Sequence, residues 1–285
     1  MERILEFICD HDEISLEGFL RKKGISRRTV ISMKRVPMGM TRNGVLCRTV
    51  DILHKGDRVC LRIPESERTE NAVYSGPTVG VVYEDEDIIL FDKPYGVPVH
   101  RSCGHYGDTL QDAFAVRFPD RPFRAVNRLD RDTSGLCLAA KSRLGANIPR
   151  ENIGKVYFAV CCGEVKSAMV IDKPIGRVDG SAVKRCVCDG GKPSVTRVFP
   201  LEGNGRYTLL RIILETGRTH QIRVHMSYSG FPLAGDSLYG GDMTDISRQA
   251  LHCGEMEFIH PVSGERLWFR AEMPEDIRKC IMRNS

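Results

Sequence analysis

Three polar segments of this 285-residue chain carry the residue types that could act on a substrate. The first, 127–135, reads Asn-Arg-Leu-Asp-Arg-Asp-Thr-Ser-Gly and precedes an apolar run at 136–140. Its central acid, Asp130, is flanked by Arg128 and Arg131, and nearby cations favour the ionised form of a carboxyl group. We therefore expect a carboxylate that stays charged near neutral pH, although an exposed turn with local ion pairs has the same pattern.

The second segment reads Lys-Val-Tyr-Phe-Ala from position 155 and predicts a strand. Because side chains alternate along a strand, Lys155, Tyr157 and Ala159 share one face. The side chain of Tyr157 combines an apolar ring with a polar tip, which suits stacking on a nucleic-acid base. Taken alone, this tyrosine is more typical of an ordinary strand.

The third segment, 216–225, reads Thr-Gly-Arg-Thr-His-Gln-Ile-Arg-Val-His and leads from a predicted strand into a predicted helix. Arg218 projects at that junction, where its guanidinium could hold a carboxylate or a phosphate with two hydrogen bonds. The spacing of His220 and His225 argues against their binding one zinc ion together. Side chains at this spacing lie about 140° apart around a helix axis, whereas paired helical ligands lie four residues apart.

Strands must position these segments, because strand patterns dominate the chain from residue 79 onward. An acidic turn at 84–87 predicts a hairpin. Strands are predicted at 79–83, 88–91, 136–140, 156–162, 194–201 and 207–214, and helices at 108–118 and 219–230, capped by Asp108 and Thr219. The pattern predicts an α+β fold: a mixed, mostly antiparallel sheet with flanking helices that form a central cleft.

The domain boundaries follow from changes in composition. We expect a small amino-terminal α/β domain at 1–64, a polar linker at 65–78 and a catalytic domain at 79–285. In the small domain, the spacing of Ile4, Leu5 and Ile8 predicts a first helix. Two more helices, capped by Ser15 and Ser26, are followed by a hairpin turn at 41–44 and a strand at 57–63.

Charge in the small domain is concentrated in one stretch. Residues 21–42 include eight lysines and arginines and no acid. Such a patch is the electrostatic footprint of a surface that binds phosphate backbones, although a solvated basic face is the simpler interpretation. The candidate RNA contacts are Arg27, Arg28, Lys34 and Arg35.

The composition excludes several classes of protein. Hydrophobic residues make up 41% of the chain, as expected of a globular protein, and no apolar run approaches the roughly 18 residues that a membrane span needs. Acids interrupt the first ten residues, which argues against a signal peptide. The eleven cysteines are odd in number and scattered, a pattern typical of reduced thiols. We expect a cytoplasmic protein with no membrane partner.

In combination, the three polar segments resemble the motifs of RluA-type pseudouridine synthases. That family carries His-Arg-Leu-Asp-x-x-Thr-Ser-Gly, Lys-x-Tyr-x-Ala and Gly-Arg-Thr-His-Gln-Ile-Arg-x-His in this order, and the resemblance covers about 79–270. Asn127 stands where the family has histidine, so a role of that histidine in placing RNA does not carry over. The segment 142–152 is short for the helix that the family has there.

The resemblance implies a role for each matching residue. Asp130 corresponds to the catalytic aspartate, Tyr157 to the tyrosine that stacks on the target uracil, and Arg218 to the arginine paired with the aspartate. Arg128 corresponds to the arginine that enters the RNA beside the flipped nucleotide, and Arg131 is a further candidate RNA contact. The implied reaction, isomerisation of uridine to pseudouridine, needs neither a redox cofactor nor a metal.

The small domain resembles the RNA-binding fold shared by a small-subunit ribosomal protein and several RNA-modifying enzymes. In this family such a module favours ribosomal RNA over tRNA as the partner, and we expect a monomer. Three alternatives remain open at this point. They are a catalytically inert RNA-binding or ribosome-assembly factor, a glycoside hydrolase using Asp130 and Asp132, and a metal site built on Cys186 and Cys188.

Overall fold

A computed structural model describes residues 2–65 and 72–282. The first part contains β1 (Glu2–Ile8), β2 (Ile14–Ser15), α1 (Leu16–Lys22), α2 (Arg27–Met33), β3 (Met40–Arg42), β4 (Val45–Leu46), β5 (Ile52–Leu53) and β6 (Arg58–Pro64). The predicted linker at 65–78 falls partly outside the described residues, because 66–71 are not among them. The proposed domain boundaries therefore stay a prediction.

The second part is larger and contains most of the strands. Its elements are β7 (Gly80–Glu84), β8 (Ile88–Lys93), α3 (Leu110–Arg117), β9 (Arg124–Ala125), β10 (Ser134–Ala140), β11 (Gly154–Cys162), β12 (Met169–Asp172), β13 (Ile175–Arg177), β14 (Arg185–Val187), β15 (Val195–Gly203), β16 (Tyr207–Leu214), α4 (Gln221–Tyr228), β17 (Leu251–Ile259), β18 (Arg266–Arg270) and α5 (Glu275–Met282). None of the helices in the described ranges is long and apolar enough to cross a bilayer.

The first described strand corrects a sequence prediction. The helical spacing of Ile4, Leu5 and Ile8 predicted a helix, but these residues lie in β1, which pairs antiparallel with β6 along its whole length. Exposure alternates along β1, with Leu5 half-buried and Ile4 and Ile8 exposed. The prediction was wrong because three apolar residues fit both periods, and pairing with β6 decided between them.

The helices of the first part confirm the predicted caps. Ser15 Oγ accepts a hydrogen bond from the amide of Gly18 at the start of α1, and Ser26 Oγ accepts one from Thr29 at the start of α2. These helices pack with β6 around a core that includes Phe19. The four basic candidates of this region are solvent-exposed on and just after α2: Arg27, Arg28, Lys34 and Arg35.

A ten-stranded sheet forms the larger part and confirms the predicted mixed, mostly antiparallel architecture. Its main path runs β12-β15-β16-β11-β17-β10-β8-β7, with β18 beside β17 and β9 beside β10. Only the pairing of β10 with β17 is parallel within the described residues. Gly135, at this junction, has φ +105°, and a Cβ there would lie 2.3 Å from the carbonyl oxygen of Cys253. Glycine is thus required where β10 approaches β17.

Two predicted helices exist but begin differently from the expectation. Thr109, not Asp108, caps α3, in a reciprocal arrangement with Asp112. Before α4 the cap position belongs to His220, whose backbone is left-handed, and Thr219 lies one residue outside. Helix α4 nevertheless ends near Gly230, as predicted. The strands β10 and β11 and the start of α4 meet at the site described next.

Candidate active site

The loop between β9 and β10 carries Asp130, and buried contacts fix its backbone. The Asn127 side chain is buried against β10, where its Nδ2 donates to the carbonyl of Leu136 and its Oδ1 accepts from the amide of Leu138. Asn127 therefore holds the loop onto the sheet. This structural role explains why an amide suits the position where the resembling family has a histidine.

Asp130 is paired with an arginine, but not with the predicted one. Its Oδ2 lies 3.2 Å from Arg223 Nη1 and 3.8 Å from His220 Nε2, and its side chain is 26% exposed. The predicted partner, Arg218, is exposed, and its Nε donates to the carbonyl of Pro193. The predicted pairing of Arg218 with Asp130 is therefore wrong. Arg218 precedes α4 in the connecting turn, whereas Arg223 lies on the buried face of the helix.

Arg223 is itself fixed by a second carboxylate. Its Nε and Nη2 donate to the two oxygens of Asp236 at 2.7 and 2.8 Å, and Asp236 is buried. Burial opposes the charge on the guanidinium, but the carboxylates of Asp236 and Asp130 outweigh it and raise the pKa of Arg223. Arg223 thus stays a cation and bridges Asp236 to Asp130. No role was predicted from the sequence for Arg223 or Asp236. A charged residue such as Arg223 on the apolar face of a predicted helix indicates a buried ion pair, because charged side chains are rarely buried unpaired.

Tyr157 reaches the same cleft from β11, at an irregularity in the pairing of β11 with β17. The cleft has a volume of about 60 Å³ and is lined by Asp130, Tyr157, Arg218 and Arg223, together with apolar residues such as Leu129, Leu214 and Leu251. The side chain of Tyr157 is 6% exposed, and burial raises its pKa well above the ordinary value for a phenol. The three residues expected from the sequence, Asp130, Tyr157 and Arg218, thus share one cleft.

A larger groove of about 650 Å³ lies on the Asp130 loop as well. It is lined by several cationic side chains: Arg101, Arg128, Arg131, Arg223 and Arg248. Arg128 is exposed, while Arg131 donates two hydrogen bonds to the carboxylate of Asp132. Arg223 and Arg248 are buried and paired with Asp236 and Asp276, so Arg128 and Arg131 are the guanidinium groups best placed to meet the negative backbone of a nucleic acid. The basic candidates of the first part, on and after α2, line neither cavity.

Lys93 supports the catalytic loop from inside the protein. Its buried ammonium donates to three backbone carbonyls, those of Pro94, Val97 and Arg131, at 2.8–2.9 Å. Burial lowers the pKa of Lys93 to about 8. The contact with Arg131 ties the loop directly after Asp130 to β8, so Lys93 is a structural determinant of the site.

Replacing Lys93 with Met is expected to destabilise the fold, because three buried carbonyls lose their donor. The effect should depend on pH. The pKa of Lys93 is about 8 in the fold and near 10.5 when unfolded, so the unfolded chain binds more protons between these values. The difference in unfolding free energy between wild type and Lys93→Met should therefore grow as pH rises through this range.

Urea unfolding at pH 7 and pH 9.5 measures this difference. Lys166→Met, at an exposed lysine, is the matched control and should change little at either pH. A difference for Lys93→Met that shrinks with rising pH would mean that the fold raises the pKa of Lys93.

One group of potential metal ligands occurs within the described residues: Asp85, Asp87 and His260. Asp87 pairs with Arg3 and accepts from Ser142, while His260 Nδ1 accepts from the amide of Ser263. The proton of this imidazole therefore sits on Nε2, which lies 3.1 Å from Asp85. The Arg3–Asp87 ion pair joins the two parts of the chain, and the imidazole of His260 has no free lone pair for a metal.

Comparisons with known proteins agree with the motifs. The family described as RNA pseudouridylate synthase matches residues 87–228. A "Ribosomal large subunit pseudouridine synthase D" of Pseudomonas aeruginosa is 38% identical over 260 residues, covering 83% of this chain and 81% of that protein. The "Uncharacterized RNA pseudouridine synthase YjbO" of Bacillus subtilis is 34% identical over 278 residues, covering 94% and 98%. A solved human structure, "RNA Pseudouridylate Synthase Domain Containing 1", matches with a TM-score of 0.60 at 28% identity, covering 72% and 86%.

Proposed function

This chain belongs to the RluA-type RNA pseudouridylate synthase family and is an RNA pseudouridine synthase, and we propose that it works through the carboxylate of Asp130 on a flipped-out uridine. One observation carries this proposal. Asp130 shares a small cleft with the buried ring of Tyr157, and Arg223 Nη1 lies 3.2 Å from the carboxylate oxygen Oδ2 of Asp130. In this arrangement the carboxylate can react with the ribose while the uracil ring packs against the apolar side chains of the cleft.

The reaction rearranges bonds within one nucleotide. The C1′–N1 bond breaks, the uracil turns, a C1′–C5 bond forms, and the proton leaves C5 while N1 gains one. The carboxylate of Asp130 either adds to C1′ and is later displaced, or removes the 2′ proton and later returns it. Both routes need an oriented carboxylate, and Arg223 meets that need by contacting Oδ2 of Asp130 from a fixed position.

The target base has to leave its stack before the carboxylate can reach the sugar. Flipping costs about a few kcal/mol. We propose that contact between the base and the wall formed by Tyr157, Leu214 and Leu251 offsets part of this cost. Phosphate contacts to Arg128 and Arg131, the exposed arginines of the groove, offset another part.

We propose ribosomal RNA as the substrate and the region 1–64 as a separate RNA-binding module. Relatives named as ribosomal large subunit pseudouridine synthase D support the first point. The exposed basic residues on and after α2 support the second. We expect the protein to act as a cytoplasmic monomer, and its eleven free thiols are consistent with a reducing compartment.

Replacing Arg27, Arg28 and Arg35 together with Gln should weaken RNA binding without changing the rate on bound RNA. Three lost phosphate contacts are expected to reduce the slope of log affinity against log salt by about 2 to 3. Filter binding at several salt concentrations measures the slope, and Lys166→Gln is the control for loss of one exposed cation. An unchanged slope would exclude this face from RNA binding.

Release of tritium from RNA labelled at C5 of uridine tests the proposed activity. Because the C5 proton leaves during isomerisation, the wild-type protein should release about one tritium per uridine converted. Ribosomal RNA should support turnover and tRNA should not. Stoichiometric RNA binding with no release would instead indicate an inert binding factor.

A further inference from the structure

His220 adopts a backbone conformation that is uncommon for residues other than glycine. Its φ is +57°, in the left-handed region, and it occupies the cap position of α4 without making a side-chain capping bond. A left-handed conformation is disfavoured for a residue other than glycine, because its Cβ lies too close to the following carbonyl oxygen. Strain of this kind persists where the surroundings impose it, often at functional sites. His220 lines both cavities beside Asp130.

The contacts of the His220 ring define its protonation. Tyr239 Oη accepts a hydrogen bond from the amide of Arg185 and lies 2.9 Å from His220 Nδ1. Its own proton is therefore available for Nδ1, an arrangement that favours the tautomer with the ring proton on Nε2. That nitrogen lies 3.8 Å from Asp130 Oδ2. A chain of contacts thus runs from the β14 backbone through Tyr239 and His220 to the carboxylate.

We propose that His220 is a positioning residue for Asp130, presenting an N–H that Tyr239 directs at the carboxylate. The inference deepens the proposed function and rests on Asp130 being the reactive group. Arg223 contacts the same oxygen, Oδ2, so the two donors together restrict how the carboxylate can turn. The separation of 3.8 Å is long for a hydrogen bond, and contacts of this kind commonly shorten when substrate binds.

The charges around the ring support a neutral donor. The groups facing it are the carboxylates of Asp130 and Asp236, the guanidinium groups of Arg223 and Arg185, and the phenol of Tyr239. Burial and then the guanidinium groups lower the pKa of His220 despite the two carboxylates. Burial also raises the pKa of Tyr239, which keeps its proton for Nδ1. A neutral His220 can therefore accept from Tyr239 at Nδ1 and donate from Nε2, the nitrogen that faces Asp130.

A double-mutant cycle tests this role. His220→Asn preserves a residue that tolerates the left-handed backbone, but its amide ends short of Asp130. We expect kcat to fall about 10- to 100-fold with KM within about threefold, because a small displacement of the reacting group is costly. Tyr239→Phe should lower kcat about three- to tenfold, because the hydroxyl that contacts Nδ1 and directs the ring proton to Nε2 of His220 is lost. In the His220→Asn background, Tyr239→Phe should change kcat by less than about twofold.

Thermal unfolding is the parallel readout. Tyr239→Phe should lower the melting temperature in both backgrounds, because its bond to the Arg185 amide does not depend on His220. Equal effects of Tyr239→Phe on kcat in both backgrounds would overturn the proposal, as would a folded His220→Asn with wild-type kcat. Activity that survives Asp130→Asn would instead refute the proposed function, so the two failures are distinguishable.

Discussion

Asp130→Asn is expected to abolish turnover while RNA affinity stays within about threefold of wild type. The amide occupies the same volume but is neither a nucleophile nor a base, and loss of such a group lowers kcat by a factor on the order of 10⁴ or more. Binding should persist because the exposed cations of the groove, Arg128 and Arg131, are unchanged. Tritium release and filter binding on the same RNA measure both effects.

Asp132→Asn is the matched control for the loss of one negative charge in this loop. Asp132 accepts two hydrogen bonds from Arg131 and makes no contact with Arg223 in the described structure. We expect its kcat to stay within about tenfold of wild type. If Asp132→Asn were inactive and Asp130→Asn active, the reactive carboxylate would have to be reassigned.

Arg223→Gln should damage both activity and stability. The substitution leaves the carboxylate of Asp236 buried without its cation, and breaking a buried ion pair costs about 3–5 kcal/mol. It also frees the carboxylate of Asp130, so kcat should fall by about 100-fold or more. Urea unfolding and tritium release at a temperature where the variant is folded separate the two effects.

Two further variants sharpen the test. Arg218→Gln, at the exposed arginine of the same cleft, should change the unfolding free energy by less than about 1 kcal/mol. Asp236→Asn combined with Arg223→Gln should recover stability relative to Arg223→Gln, because the unpaired buried charge is gone, but not kcat. If Arg218→Gln destabilised the protein more than Arg223→Gln, the observed pairing would be incorrect.

The sequence predicted the location of the site better than its internal contacts. Asp130 lies on a loop and Tyr157 on a strand, and both elements were predicted from local sequence patterns. The order of the family motifs led us to expect both residues in one cleft. The partner of Asp130 depends on which face of α4 packs against the sheet. Arg218 and Arg223 belong to one sequence motif. Arg218 is exposed because it lies before the start of α4, and Arg223 is buried because it lies within the helix.

Other features required tertiary information. Asn127 binds backbone groups 9 and 11 residues further along the chain, and Lys93 binds the carbonyl of Arg131, 38 residues away. Backbone partners of this kind carry no side-chain signal. The left-handed backbone of His220 contradicts the preference for threonine as a helix cap, so the pattern favoured Thr219 instead. In each case the residue type fits several local roles, and only the packing of β8, β10 and α4 selects among them.

Carbodiimide mapping of pseudouridine in total RNA tests the central proposal most directly. RNA is compared from cells that lack the protein and carry either the wild-type gene or Asp130→Asn, expressed at equal levels. We predict that one or more ribosomal RNA positions lose their pseudouridine without the protein and regain it only with the wild type. Restoration by Asp130→Asn, or an RNA pattern that is the same in all strains, would contradict the account.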